Sequence, residues 1–365
     1  MSYLCCLASS VGLVWCHEFI TKFAAEDTIR GCPKESIVET SNLLKEFLAR
    51  RNLWVRCLDG GDRNSVFQQI YQMIWNAGVF KVINEARKIA PSAKEGGVQL
   101  NGMVHRLIDQ CFFESQSLAV RRLADSSYPI EGDNRGQDVC SLGALLKDMK
   151  QHAELLTREN MFQAEGLEYD HEVVRQKEEA FLLGRSGAGE SAFAVPPGLD
   201  YRRLMRRHEQ LDYFTGVGKE QRLPTDRVKS DALDFLEQKV RAASDSFKTH
   251  ADKFIAHAAT LESRQAVSAD TARITLGQLW EAHQTLCQVA NFVDTYILGR
   301  GAKMGFLPTP QLDIFLYLDR PFIGERDLAK LSEAWSSYGK ETSTWSKWGF
   351  EAFRSEFETH KQLVF

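Results

Sequence analysis

The sequence predicts an all-α protein, a bundle of long antiparallel helices, and three observations carry that reading. Apolar residues recur at helical spacing in every long segment between residues 36 and 357. No stretch sustains the period-two alternation of a half-buried strand. The breaks between periodic segments are short and carried by Pro91, the pair Gly96-Gly97, Pro224, and Gly299 with Gly301.

The first sixteen residues, MSYLCCLASSVGLVWC, are apolar but lack a basic leader and a small-residue cleavage site. They are also too short to span a bilayer, so the expectation is a buried first helix or a misassigned start codon. Ser36 to Arg51 reads as a helix through Ile37, Leu43, Leu44, Phe47 and Leu48, followed by an Asp-Gly-Gly-Asp turn at 59–62. Asn64 is placed to cap the next helix, which runs to about Ala90 with Phe67, Ile70, Ile74 and Val82 inward. A further helix spans Val98 to Asp125 and closes in the run VRRLAD, and Ser141 caps the segment SLGALLKDM.

Residues 184–199 are rich in Gly, Ser, Ala and Pro and read as a flexible loop. From Asp200 the helix DYRRLMRRHEQLDYF carries a dense basic cluster, Arg202, Arg203, Arg206 and Arg207, followed by His208. Four arginines across one and a half turns cannot all face a core, so at least two must reach solvent. They are either a solvated charged face or a surface for nucleic-acid backbone.

Pro224 and Thr225 are expected to open the central helix, whose stripe is Leu236, Val240, Ala243, Phe247, Phe254 and Ala258. Leu236, Ala243, His250 and His257 lie seven apart, so two imidazoles stand where the pattern asks for Leu or Ala, and Lys253 borders the same face. Burying such groups is costly unless they are paired or used in chemistry. Either the histidines are satisfied core residues, bonded to neighbours such as Asp252, His283 or Asn291, or they form a site. Thr275 to Leu298 is a strong helix ended by Gly299, and 305–321 is irregular. Asp327 to Phe357 is helical again, its Trp335, Trp345 and Trp348 being core or an exposed partner surface. The expected organisation is therefore an N-terminal segment 1–30, a helical domain 31–300, and a C-terminal helical extension 301–365.

Lys and Arg number 45 against 49 Asp and Glu, so no global basic field advertises nucleic-acid binding and any such contact must be a local patch. The 8 cysteines are dispersed without a CxxC pair, which points to reduced thiols in a cytoplasmic protein rather than a disulfide framework. No run is long enough to span a membrane. Phosphate-binding loops, dinucleotide fingerprints, HExxH, nucleophile-elbow and kinase motifs are missing, so neither a cofactor nor a metal is expected.

KFIAHAA at 253–259, late in an all-helical chain, resembles the (R)NKxxAH signature of the HEPN superfamily. The run VRRLAD…SLGALLKDM at 120–149 is similar to the RLxD…SLxxLL segment of its AbiU-type abortive-infection branch. The resemblance spans about residues 64 to 300. It implies a phage-defence or toxin–antitoxin protein with an antitoxin or defence-system partner. Active members look like metal-independent endoribonucleases whose site forms at a homodimer interface from Arg, four to six residues, then His. His257 would be the acid–base for attack of the RNA 2′-OH on its phosphate. The permitted Arg positions before it hold Asp252, Ala251 and His250, so His250 or Lys253 would have to supply the charge. Arg203 and His208 match the spacing, but outside this segment. The alternative implied by the same resemblance is a catalytically inactive scaffold or sensor that binds a partner protein, nucleotide or nucleic acid.

Overall fold

The computed structural model describes residues 42–90, 102–132, 136–186, 199–256, 259–268, 273–301, 303, 305–310, 313–316 and 328–364. Asn42–Phe365 form one compact unit. The described residues are predominantly helical and contain no strand; the one extended pairing among them is an antiparallel bridge between Thr157 and Arg227.

In chain order the helices are α1 (Asn42–Asp59), α2 (Val66–Ile89), α3 (Gly102–Ala124), α4 (Leu142–Gln151), α5 (Arg158–Ala164), α6 (His171–Ser186), α7 (Tyr201–Thr215) and α8 (Ser230–His250). They are followed by α9 (Leu261–Gln265), α10 (Leu276–Phe292), α11 (Leu328–Trp345) and α12 (Phe350–Val364). Two π turns, Ala251–Ile255 and Val293–Ile297, continue α8 and α10.

α8 is the hub. Leu233, Leu236, Val240, Ser244 and Phe247 are buried at steps of three and four, and this stripe packs against α3, α4 and α10. Each such fully buried Leu or Phe contributes about 1.5–3 kcal/mol. The stripe expected from the sequence holds as far as Phe247. Beyond it Phe254 is 36% exposed. The π turn inserts one residue into the helical repeat and re-phases the side chains after it by about 100°.

Local chemistry sets the remaining ends. Ser141 caps α4 by accepting from Ala144 N, as its position predicts. Its own hydroxyl donates to Asp125 O. A Cβ at Gly143 would stand 2.3 Å from Ala124 O, so only glycine lets α4 start against the end of α3. Thr275 and Gln278 form a capping box on α10.

Several boundaries differ from the sequence expectation. α1 runs past the expected end at Arg51 to Asp59, because Leu53, Trp54, Cys57 and Leu58 continue its buried face. Ser65, not Asn64, is the N-cap of α2; Asn64 instead donates its N–H to Asp62 and its carbonyl accepts from Gln69. The central helix starts at Ser230, not near Pro224, because residues 224–228 are engaged elsewhere. Arg158 N and Glu159 N donate to Asp226 O and Pro224 O, and Val228 N donates to Leu156 O.

The C-terminal span is two helices sharing the main core, not an appended extension. Phe353 stacks on Phe292 with ring centroids 4.6 Å apart, and Trp345 and Trp348 are buried. The aromatics read as core or partner surface are therefore mostly core, with Trp335 half-buried against Trp75. α6 continues to Ser186, three residues into the expected loop; residues 187–198 lie outside the described residues.

Candidate functional site

The sequence singles out the end of α8. His250 is half-buried there, with its ring stacked on Phe254 at 5.2 Å. Lys253 Nζ donates to Ser263 Oγ at 2.8 Å, which turns the ammonium toward α9. His257 lies outside the described residues. The shared face expected for His250, Lys253 and His257 assumes an uninterrupted α-helix, whereas Ala251–Ile255 is a π turn. Asn291, read as a partner for the histidines, is committed to Ser346 O and Lys303 N.

The structure does bring an arginine here that the spacing lacks. Arg121 Nη2, at the end of α3, is 2.8 Å from Asp252 Oδ1 on the π turn. The two segments singled out in the sequence, VRRLAD and the α8 terminus, therefore touch. Between them runs a cleft of about 210 Å³ lined by Arg121, Arg241 and Lys248 and by Asp125, Glu237 and Asp245. Three cations face three anions, and no imidazole or thiol lines it. It is a charge-balanced polar cleft.

The basic cluster on α7 gives the second candidate. Asp200 caps the helix by accepting from Arg203 N at 3.0 Å, and Gly216, at φ 66°, ends it. Leu204, Arg207, His208, Leu211, Phe214 and Thr215 form its buried stripe, while Arg202, Arg203 and Arg206 are exposed. Three of the four arginines thus reach solvent. Arg203 and His208 leave the helix on different sides and do not form a catalytic pair.

His208 is buried, not at a nucleic-acid surface as expected. Its Nε2 lies 3.1 Å from Tyr169 O, and its ring packs 4.4 Å from that of Phe162. Burial pulls its pKa down to about 4. Arg207 is buried too. It donates to Tyr296 O at 2.7 Å and pairs with Glu165 Oε1 at 2.6 Å. Burial lowers the pKa of this guanidinium, against the pull of Glu165. The signal for both residues was present: 204, 207, 208, 211, 214 and 215 keep helical spacing.

Arg203, Arg206 and Arg207 converge with Glu165, Gln210, Thr295, Gly299 and Arg300 on a pocket of about 160 Å³. Arg300 comes from the turn after α10 and is held by Asp59 at 2.8 Å and Asp294 at 3.3 Å. Lys303 joins the same Asp59 at 2.8 Å, and Arg51 donates to Leu298 O at 2.6 Å. Burial pushes the Asp294 carboxyl above its usual range, against the pull of Arg300 and Lys303. Six cations (Arg51, Arg203, Arg206, Arg207, Arg300, Lys303) thus stand around three carboxylates (Asp59, Glu165, Asp294) on a chain whose net charge is −4. Arg300 and Arg51 were not legible as site residues, because only tertiary packing brings them to α7.

Among the described residues no group of three or more His, Cys, Asp or Glu could hold a metal ion, and no helix is long and apolar enough to cross a membrane. Cys57, Cys111, Cys140 and Cys287 are free thiols. Comparison with protein-family models, with curated proteins and with solved structures finds no match.

Proposed function

We propose that this chain is a helical RNA-acting protein that holds the RNA phosphate backbone on the arginine face of α7. One observation carries the reading. Arg203 and Arg206 are exposed, make no side-chain pair among the described residues, and stand beside Arg300 in a locally positive pocket. Guanidinium forks match phosphate oxygens better than a point ammonium does. The resemblance of the α8 terminus to the HEPN signature supports RNA as the polyanion and a phage-defence or toxin–antitoxin setting, with an antitoxin or defence-system protein as partner.

The test is RNA binding across a salt series. Arg203→Glu with Arg206→Glu should weaken binding at least tenfold and reduce the salt slope by roughly 1.4, the value for two contacts to a single strand. An unchanged affinity and slope would reduce the cluster to a solvated face.

A second reading, a metal-independent endoribonuclease, is favoured by the Arg121 guanidinium beside the π turn. In this reading His257 moves the protons, and Arg121, Lys253 or His250 meets the charge of the phosphorane. Cleavage would persist in EDTA and fall by about two to four orders of magnitude in His257→Ala. Cleavage that EDTA abolishes, or that survives this substitution, would leave the binding scaffold as the function.

In this proposal the chain is a homodimer. The α8 stripe is consumed inside the chain, so the two-fold contact falls on the residues after it, where Phe254 is 36% and Leu261 57% exposed. Sedimentation of a monomer at micromolar concentration would refute it.

A further inference from the structure

We propose that the pocket formed by Arg203, Arg206, Arg207 and Arg300 with Thr295 takes a terminal phosphomonoester in preference to an internal phosphodiester. This rests on the reading of the α7 face as a phosphate-binding surface and specifies its ligand.

The first argument is unmet hydrogen bonding. Arg207 Nε and Thr295 Oγ1 are buried without a hydrogen-bond partner among the described residues, and Arg300 Nη1, also buried, faces Asp294 Oδ1 at 3.3 Å without forming a hydrogen bond. Arg207 as a whole is only 5% exposed. Buried donors in this state have lost water without replacement, which costs about 1–3 kcal/mol each and more where charge is involved. All three belong to residues that line one cavity, and the exposed forks of Arg203 and Arg206 complete the ring. A tetrahedral oxyanion presents several acceptor oxygens to such a ring, which neither a carbonyl nor a single water does.

Size is the second argument. The cavity holds about 160 Å³ and lies below the ~300–1,000 Å³ of a site for a whole small molecule. One phosphate with its waters fits. An internal phosphodiester would have to leave a ribose outside on both sides, whereas a terminal phosphate enters with its linkage on one side only.

Charge is the third. A phosphomonoester carries about −1.5 to −2 at neutral pH, against −1 for a diester. Glu165 does not repel it, because its carboxylate is already paired with Arg207 at 2.6 Å. The surplus of cations around the pocket therefore favours the doubly charged end.

The experiment uses the full chain and one RNA sequence made with a 5′-phosphate, a 3′-phosphate or hydroxyl ends. AMP and inorganic phosphate serve as competitors. We expect one phosphorylated form to bind at least tenfold tighter than the hydroxyl form, and AMP to compete at its pocket. Arg300→Gln and Thr295→Val should remove the preference. Arg203→Gln tests the same point at an exposed residue that is unpaired among the described residues and whose loss does not threaten folding.

Equal binding of all three RNAs would overturn this inference and leave the RNA reading standing. Binding of AMP and phosphate that Arg203→Gln abolishes, without any RNA binding, would support the pocket and overturn the RNA reading. If phosphate, AMP and RNA all fail to bind, both fall.

Discussion

Arg121 Nη2 and Asp252 Oδ1 lie 2.8 Å apart, joining the end of α3 to the π turn that extends α8. Both side chains are about one-third exposed, at 35% and 30%, so water screens the pair. Arg121→Ala should therefore cost less than about 1 kcal/mol in a urea titration, the usual worth of an exposed ion pair. A loss several times larger would mean that the pair holds the π turn in place.

The fold was legible because burial imposes helical spacing on α2, α7, α8 and α10, and because Ser141 and Gly299 are end signals with a mechanism. The π turns were not legible. A single inserted residue leaves composition and hydropathy unchanged while it rotates every later side chain. That is why the α8 stripe holds at Leu236, Val240 and Phe247 and fails at Phe254. The arginine cluster was visible on α7, yet its partners Glu165, Thr295 and Arg300 lie 42 or more residues away from Arg207 and meet it only through packing. Arg158 was missed entirely. A lone arginine in TRENMF gives no periodic hint that it will be wholly buried.

Arg158 gives the sharpest stability prediction. Its side chain has no exposure and meets Asp212 at 3.0 Å, Asp226 at 3.3 Å, His208 O at 3.2 Å and Thr215 Oγ1 at 3.1 Å. Arg222 also holds Asp212, at 2.6 Å, so Asp226, which keeps only the N–H of Leu223 at 2.9 Å, is the carboxylate left without a counter-charge when Arg158 goes. Arg158→Met should cost about 3–5 kcal/mol, the penalty for an uncompensated buried partner. A denaturation midpoint within experimental error of wild type would show that this network is dispensable.

Two histidines set an acid limit. Burial lowers the His208 pKa to about 4 and that of the wholly buried His283 to about 3. Unfolded imidazoles titrate near 6.5, so below that pH the unfolded chain binds protons that the folded chain refuses. The contribution of these two residues should be flat above about pH 6.5 and fall as pH drops toward 3, with none further below that. His208→Gln should roughly halve the decline in the window between 6.5 and about 4, leaving the part due to His283. Melting temperatures measured from pH 7 to 3.5 check this, and an unchanged profile in the variant would refute the assignment.

Cys140 should be unusually reactive. Its sulfur accepts a hydrogen bond from the Cys57 thiol, which brings its pKa down to about 7 against the opposing effect of burial. That same bond and burial push the Cys57 thiol up, so it stays protonated as the donor. Alkylation of Cys140 by iodoacetamide, read peptide by peptide in a mass spectrometer, should rise with a midpoint near pH 7. In Cys57→Ala the midpoint should move to the ordinary thiol value of about 8.5 or above. Identical profiles in the two proteins would exclude the thiol–thiol bond.

The last prediction tests the pocket wall through Gly299. Its φ is 67°, a conformation that costs a residue with a Cβ about 1–2 kcal/mol. An added Cβ would also stand 2.2 Å from Glu165 Cδ and 2.3 Å from Glu165 Oε1. The carboxylate would have to leave Arg207, whose guanidinium is buried beside it. Gly299→Ala should therefore cost more than the backbone strain alone, and a cycle with Glu165→Ala separates the two parts. If the clash matters, Glu165→Ala will cost less in the Gly299→Ala background than in wild type, with a coupling of about 0.5–3 kcal/mol. Additive losses would mean that Glu165 moves aside freely, and that its pairing with Arg207 does not shape the pocket.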